Sequence, residues 1–236
     1  MANRKALHII NGEHYSGGER IQDILGMTLP QYGYDVGFVC LKPDMFPNVY
    51  RSKASPVYSV PMKHKADFML YKKVAEIIKT EGYDIVHSHM PRSIPVARLA
   101  SLSAKVPMVH HLHSPTLFEG PSLLNNIVSG ILERVSLIGA DAVIPCSEGL
   151  GKYAKQIGIG SRRVKVVLNG IPGLGLNAEK KAPNDEWVIG VVALFRPRKG
   201  FEYLLEAMSL LKARGYSFKL HAIGGFFSQE YRDHID

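Results

Sequence analysis

Cysteine is nearly absent from this 236-residue chain. Only Cys40 and Cys146 occur, too few for a disulfide framework, and this balance fits a reducing, cytoplasmic setting. Long apolar runs are missing as well. The first, Ala6–Ile10, is too short for the core of a secretory signal. No stretch approaches the ~18 uninterrupted apolar residues of a membrane span, so membrane contact is expected to be peripheral at most, at the inner face of the cell membrane. No long basic run marks a nucleic-acid-binding tail. The GxGxxG dinucleotide fingerprint is also absent, because Gly12 and Gly17 stand five apart.

What is present suits a globular protein: 46% hydrophobic and 21% charged residues, enough for a sizeable core. The net charge of +8 favours anionic partners, either phosphorylated ligands or an acidic membrane face. At roughly 100–200 residues per domain, the length suggests one domain and a fraction.

Strand and helix signals alternate. Short apolar runs at Ala6–Ile10, Tyr34–Leu41, Val57–Val60, Ile85–Ser88, Pro107–Leu112, Ala142–Pro145 and Val164–Leu168 read as strands. Between them, helical spacing is expected from Gly17 to Leu29, with Ile21, Ile24 and Leu25 on its apolar face. Further helices are expected at Phe68–Thr80, Ser93–Leu102, Leu123–Gly139 and Glu148–Gln156, the last capped by Ser147. This alternation implies a doubly wound parallel sheet over residues 1–172. A Pro/Gly-rich polar stretch, 173–186, reads as a linker. Residues 187–236 then restart as strand, helix and strand, followed by a loop from Gly224. One βαβ unit buries too little surface to stand alone, so an incomplete second domain is expected.

Three motifs can carry chemistry. Gly12-Glu13-His14-Tyr15-Ser16-Gly17-Gly18 joins the first strand to its helix, where backbone N–H groups and the positive helix end favour a phosphate. The alternative is a simple tight turn. His87-Ser88-His89 and His110-His111-Leu112-His113 end two strands and face one crevice, with His111 and His113 on one side. They suit hydrogen bonding to a polyol or proton carriage. No carboxylate or cysteine accompanies them at zinc-ligand spacing, so no metal is expected, and His87 and His110 can equally be satisfied core residues. Arg196-Pro197-Arg198-Lys199-Gly200 follows the strand that opens the second unit and offers cations to a diphosphate, or else forms an exposed basic turn.

Taken in order and spacing, Gly17-Gly18-Glu19-Arg20, Leu112-His113-Ser114, Ala140–Glu148, Val167-Leu168-Asn169-Gly170-Ile171 and Arg196–Phe201 resemble the retaining GT-B glycosyltransferases of family 4, which include bacterial cell-envelope and capsule sugar transferases. The resemblance implies two Rossmann-like domains, the first binding the acceptor and the second a nucleotide sugar. Gly17 and Gly18 then match the loop that closes on the donor's phosphate and sugar. His113 matches the catalytic-site histidine at the donor sugar, and Arg196 with Lys199 matches the cationic pair on the diphosphate. His89 and His111 are candidates on the acceptor side. The implied donor is a UDP- or GDP-sugar, the acceptor a sugar or lipid-linked sugar, and neither cofactor nor metal is expected. The family's two glutamates eight positions apart have no counterpart here, which places the expected end of the chain before that motif. A sugar-nucleotide epimerase on the same fold and a non-catalytic binding module remain alternatives.

Overall fold

The computed structural model describes residues 2–64, 66–115, 123–173, 175 and 186–235. The chain divides into two compact units, Met1–Pro172 and Gly173–Asp236. The linker expected at 173–186 lies outside the described residues except at positions 173, 175 and 186.

In the first unit, six strands form one sheet: β1 (Arg4–Ile10), β2 (Tyr34–Cys40), β3 (Val57–Ser59), β4 (Ile85–Ser88), β5 (Met108–Leu112) and β6 (Ala142–Pro145). Every pairing is parallel, in the order β3-β2-β1-β4-β5-β6. The connecting helices are α1 (Gly17–Thr28), the short α2 (Met45–Val49), α3 (Tyr71–Glu81), α4 (Ser93–Ala104), α5 (Leu123–Ile138) and α6 (Glu148–Gln156). The expected doubly wound fold is therefore present.

Period-two alternation in the strands feeds two core layers. Leu7, Ile9, Val39 and Val86 meet α3, α4 and α6 on one face through Val74, Ile78, Ile94, Ala97 and Ala154. Ile10, Val36, Phe38 and Cys40 meet Phe46 of α2 on the other.

Three local readings are corrected. Val164–Leu168 is not a strand. Only Val164 bridges Val143, because after that bridge and the Val167 N–H to Pro145 carbonyl bond (3.0 Å) the chain has no further partner on β6. The helix from Gly17 buries Glu19, Gln22, Asp23 and Gly26 most deeply, rather than its isoleucines. The reason is local: Asp23 meets donors from a neighbouring loop, and Gly26 admits Phe38, which a Cβ would approach to 3.0 Å. Finally, the segment after Gly224 is not all loop.

The second unit pairs β7 (Trp187–Val192) with β8 (Phe218–Ile223) in parallel, joined by α7 (Phe201–Ala213) and followed by α8 (Gln229–Ile235). Ser228 accepts from the Tyr231 N–H at 3.2 Å and starts α8, a capping signal within an otherwise loop-like sequence. Phe195, Phe201 and Tyr231 form its small core.

Candidate functional site

The sheet changes direction between β1 and β4. In doubly wound sheets a crevice opens there, beyond the carboxyl ends of the strands. The loop after β1, the residues after β4 and His113 after β5 all lie on this edge.

Glycines in the first loop divide into two kinds. Gly12 has φ of +82°, and a Cβ on it would lie 2.8 Å from the Cys40 sulfur, so the fold itself demands glycine there. Gly17 and Gly18 have no positive φ among the described residues. A Cβ on Gly17 would meet nothing within 4 Å, and one on Gly18 would rest 3.8 Å from Met90 Sδ. The fold gives no reason for glycine at either position, whereas close approach of a ligand to the helix end does. No side chain caps α1: the Ser16 hydroxyl donates to Glu19 Oε2 at 2.9 Å instead, which leaves first-turn N–H groups available. Gly17→Ala and Gly18→Ala are therefore expected to keep or raise the thermal midpoint, since Ala favours a helix by about 1 kcal/mol over Gly. A ligand phosphate at this helix end predicts that both variants bind a nucleotide sugar more weakly in calorimetry. A fall in stability with unchanged binding would assign these glycines to the fold.

Histidines fill the floor of the crevice. His8, His87, His89, His111 and His113 come from β1, β4, β5 and the residues just beyond, and their rings lie against one another. His87 and His89 are 4.1 Å apart by centroid, and His111 stacks on His113 at 4.4 Å. Nitrogens link three of them in a row. His89 Nε2 faces His8 Nδ1 at 3.0 Å, and His89 Nδ1 faces His113 Nε2 at 3.4 Å. His110 points to the opposite face, where its Nδ1 pairs with the Ser88 hydroxyl at 2.8 Å. That is the satisfied core role the sequence left open for it.

Burial is the main force on all six rings, and it disfavours the charged form. His8, His110 and His111 are lowered to about 3, with neighbouring imidazoles adding to the effect. His113 is lowered to about 4 by burial. His87 and His89 are pushed well below the ordinary value by burial and then by the surrounding histidines. Asn169 opposes the shift of His111, yet neither nitrogen of that ring has a partner in hydrogen-bond geometry. At neutral pH the cluster is thus a set of uncharged imidazoles. His113, the most exposed of the row, can exchange hydrogen bonds with a hydroxyl there but is not a proton reservoir. His89 has both nitrogens engaged by other rings, whereas those of His111 have no partner in hydrogen-bond geometry among the described residues.

Nitrogens of His89, His111 and His113 lie within 4.8 Å of one another, as do those of His8, His87 and His89. Either trio offers neutral nitrogen donors, the protonation state that a metal requires. Among the described residues, no carboxylate or cysteine joins either set.

His8 was not among the candidates drawn from sequence. Its signal is a polar residue in the middle of the apolar run Ala6–Ile10, and pairing of β1 with β4 sets it opposite His87.

Arg196 and Lys199 belong to the second unit. Arg196 follows β7 and precedes a one-turn helix at Pro197–Lys199, and Gly200, with φ of +66°, turns the chain into α7. Among the described residues Arg196 Nε is buried without a partner, and Lys199 is exposed. The Arg198 side chain lies outside the described residues.

Residues 15–172 match the sequence model of Glycosyltransferase Family 4. The chain belongs to this family. Its curated relative EpsD of Bacillus subtilis (strain 168), named as a glycosyltransferase, is 24% identical over 212 residues, covering 80% of this chain and 54% of EpsD. This family 4 chain thus spans about half the length of that relative. Among solved structures, Anabaena HepE in complex with UDP superposes with a TM-score of 0.76 at 17% identity, over 98% of this chain and 64% of HepE. A Listeria monocytogenes structure named as a UDP-N-acetylglucosamine 2-epimerase superposes at 0.60 with 18% identity, over 99% of this chain and 65% of that one. At these identities the superpositions establish the GT-B-like α/β fold and nothing finer. No helix among the described residues is long and apolar enough to cross a membrane.

Proposed function

We propose that this chain takes part in retaining transfer of a sugar from a UDP- or GDP-sugar to a sugar or lipid-linked acceptor, in cell-envelope polysaccharide or glycolipid synthesis at the cytoplasmic face of the membrane. Residues 1–172 serve the acceptor side and residues 187–236 the nucleotide side. The observation that carries the reading is the pairing of two glycines that the fold does not need with a neutral His113 on the same sheet edge. Gly17 and Gly18 admit the donor's phosphate and sugar to the amides of α1. His113 hydrogen-bonds a sugar hydroxyl, His111 supplies unpaired nitrogens beside it, and His89 holds the His113 ring through Nδ1. Arg196 and Lys199 neutralise the leaving diphosphate. Catalysis is then chiefly positioning and electrostatic stabilisation, with neither metal nor cofactor in the scheme. The UDP and UDP-glucose held by HepE in its solved complexes favour a uridine donor.

The test is product analysis of the full chain with UDP- and GDP-sugars, with and without acceptor, reading the anomeric configuration by NMR. Transfer with retention is expected. His113→Ala should lower turnover by about 10²–10³, the scale of losing one donor to the transition state. Epimerised nucleotide sugar in the absence of acceptor would favour the epimerase. Binding without any turnover would favour a binding module.

A further inference from the structure

The clustered histidines leave more nitrogen unused than packing explains. A neutral imidazole has one donor and one acceptor nitrogen, and buried polar atoms are normally paired. Among the described residues, however, His8 Nε2, His87 Nε2 and both nitrogens of His111 are buried without a hydrogen-bond partner. Apolar side chains would fill the same space without that desolvation cost. Lone pairs gathered with nothing to accept point instead to a Lewis acid.

The sheet gathers them, not the local chain. His111 and His113 stand two apart along β5 and its exit, so they share a face. Pairing of β4 with β5 brings His89 beside them. Nitrogens of the three lie within 4.8 Å of one another, and among the described residues no carboxylate or cysteine joins them. A tetrahedral ion with bonds of about 2.0–2.1 Å to nitrogen holds its ligand nitrogens about 3.3–3.4 Å apart. His89 Nδ1 and His113 Nε2 are 3.4 Å apart. His111, only 6% exposed, completes the set by rotation about χ2, a torsion with broad minima in histidine. At neutral pH all three rings are uncharged, the form that a metal binds.

A neighbouring ring orients the set. His89 Nε2 faces His8 Nδ1 at 3.0 Å. With the proton on Nε2 and donated to His8, the lone pair of His89 stands on Nδ1, toward His113. Metal-ligating histidines are usually held in this way, by a partner on the second nitrogen. The other trio, His8, His87 and His89, fits less well. It uses His8 as a ligand rather than as this partner, and His8 is fully buried, away from a fourth ligand. His113 is only partly buried, so its side leaves a coordination position open to the crevice. Imidazole donors suit zinc, copper and nickel, whereas magnesium and calcium take oxygen.

We propose that His89, His111 and His113 bind one divalent transition cation of the zinc type, with a fourth position open to the crevice for water or an anion. The site does not rest on sugar transfer, and its test does not read turnover. Where His113 serves a sugar hydroxyl, ion and sugar compete for it, and the cation is an inhibitor rather than a cofactor.

The experiment is calorimetric titration of the full chain with zinc sulfate. One ion per chain is expected, with a dissociation constant in the micromolar range or below, and millimolar magnesium should not displace it. X-ray absorption of the zinc-loaded parent should show three imidazoles at about 2.0–2.1 Å. His8→Phe, which removes the partner of His89, should weaken binding about 10–100-fold. His111→Phe removes a ligand and should cost at least about 100-fold. Circular dichroism checks that both variants fold, and the absorption spectrum tests the site on the parent alone. A parent that takes up no zinc would overturn the proposal. So would a spectrum with sulfur or with fewer than three imidazoles, or a folded His111→Phe that binds zinc as the parent does.

Discussion

Acidifying the protein from neutral pH to about 5 is expected to unfold Met1–Pro172, because its core contains six imidazoles that are held neutral. Their ordinary value is 6.5. In the fold, His8, His110 and His111 lie at about 3, His113 at about 4, and His87 and His89 well below the ordinary range. The sign follows from proton counts. Between these values and 6.5 the unfolded chain binds protons that the folded chain does not, so stability rises with pH across this window. The contribution is complete above about 6.5 and is lost as pH falls toward 3–4. Each ring contributes a loss of about 1.4 kcal/mol per pH unit below 6.5. Several rings acting together over one unit remove on the order of 5–10 kcal/mol, comparable with the whole stability of a domain. Urea midpoints followed by far-UV circular dichroism at a series of pH values measure this directly. Trp187, the only tryptophan, lies in the second unit, so circular dichroism is the direct probe of the first. His8→Leu should reduce the slope by about one proton. A midpoint that is flat from neutral pH to about 5 would show the imidazoles to be solvated.

Asp23→Ala should be the most damaging single substitution in the loop region, with a loss of about 3–5 kcal/mol, the scale seen when one partner of a buried charged network is removed. Asp23 is fully buried on α1 and accepts four hydrogen bonds. The Tyr15 hydroxyl and the Arg51 N–H reach Oδ2 at 2.6 and 2.8 Å, and the Ser52 N–H and hydroxyl reach Oδ1 at 2.9 and 2.6 Å. Burial alone would raise its pKa, but donation from Ser52, Tyr15 and the Arg51 backbone outweighs it and holds the carboxylate below its ordinary value. Alanine would leave two backbone amides and two hydroxyls without partners. Tyr15 belongs to the loop that leads to Gly17, so the same carboxylate fixes the loop's path. Tyr15→Phe, which removes one bond of the four, should cost about 1–2 kcal/mol. Urea unfolding checks both. If Asp23→Ala lost less than Tyr15→Phe, the carboxylate would not be the centre of the network.

The strands and helices were legible because their causes are local. Alternation in Tyr34–Cys40, the stop at Gly82 with φ of +69°, and the Ser147 hydroxyl accepting from the Leu150 N–H at 3.2 Å are each set within a few residues. The second-unit strand Phe218–Ile223 has equally local causes, an apolar run bounded by Gly215 and Gly224. The family was legible in short motifs spaced along the chain. Val164–Leu168 was over-read because an apolar run marks an extended segment but cannot say whether the neighbouring strand still has free partners for it.

By itself, then, the sequence determined the parallel α/β architecture and the family, and it pointed to the sheet edge that carries the proposed site. Tertiary structure decided which side chains meet there. His8 and His89 are 81 residues apart and come within 3.0 Å only because β1 lies between β2 and β4 in the sheet. Periodicity placed α5 but could not say which of its faces turns outward, since an apolar stripe looks the same from either side. The buried Glu133 and the exposed Ile131 and Val135 settled that, because a carboxylate enters a core only where a partner such as Tyr153 waits for it.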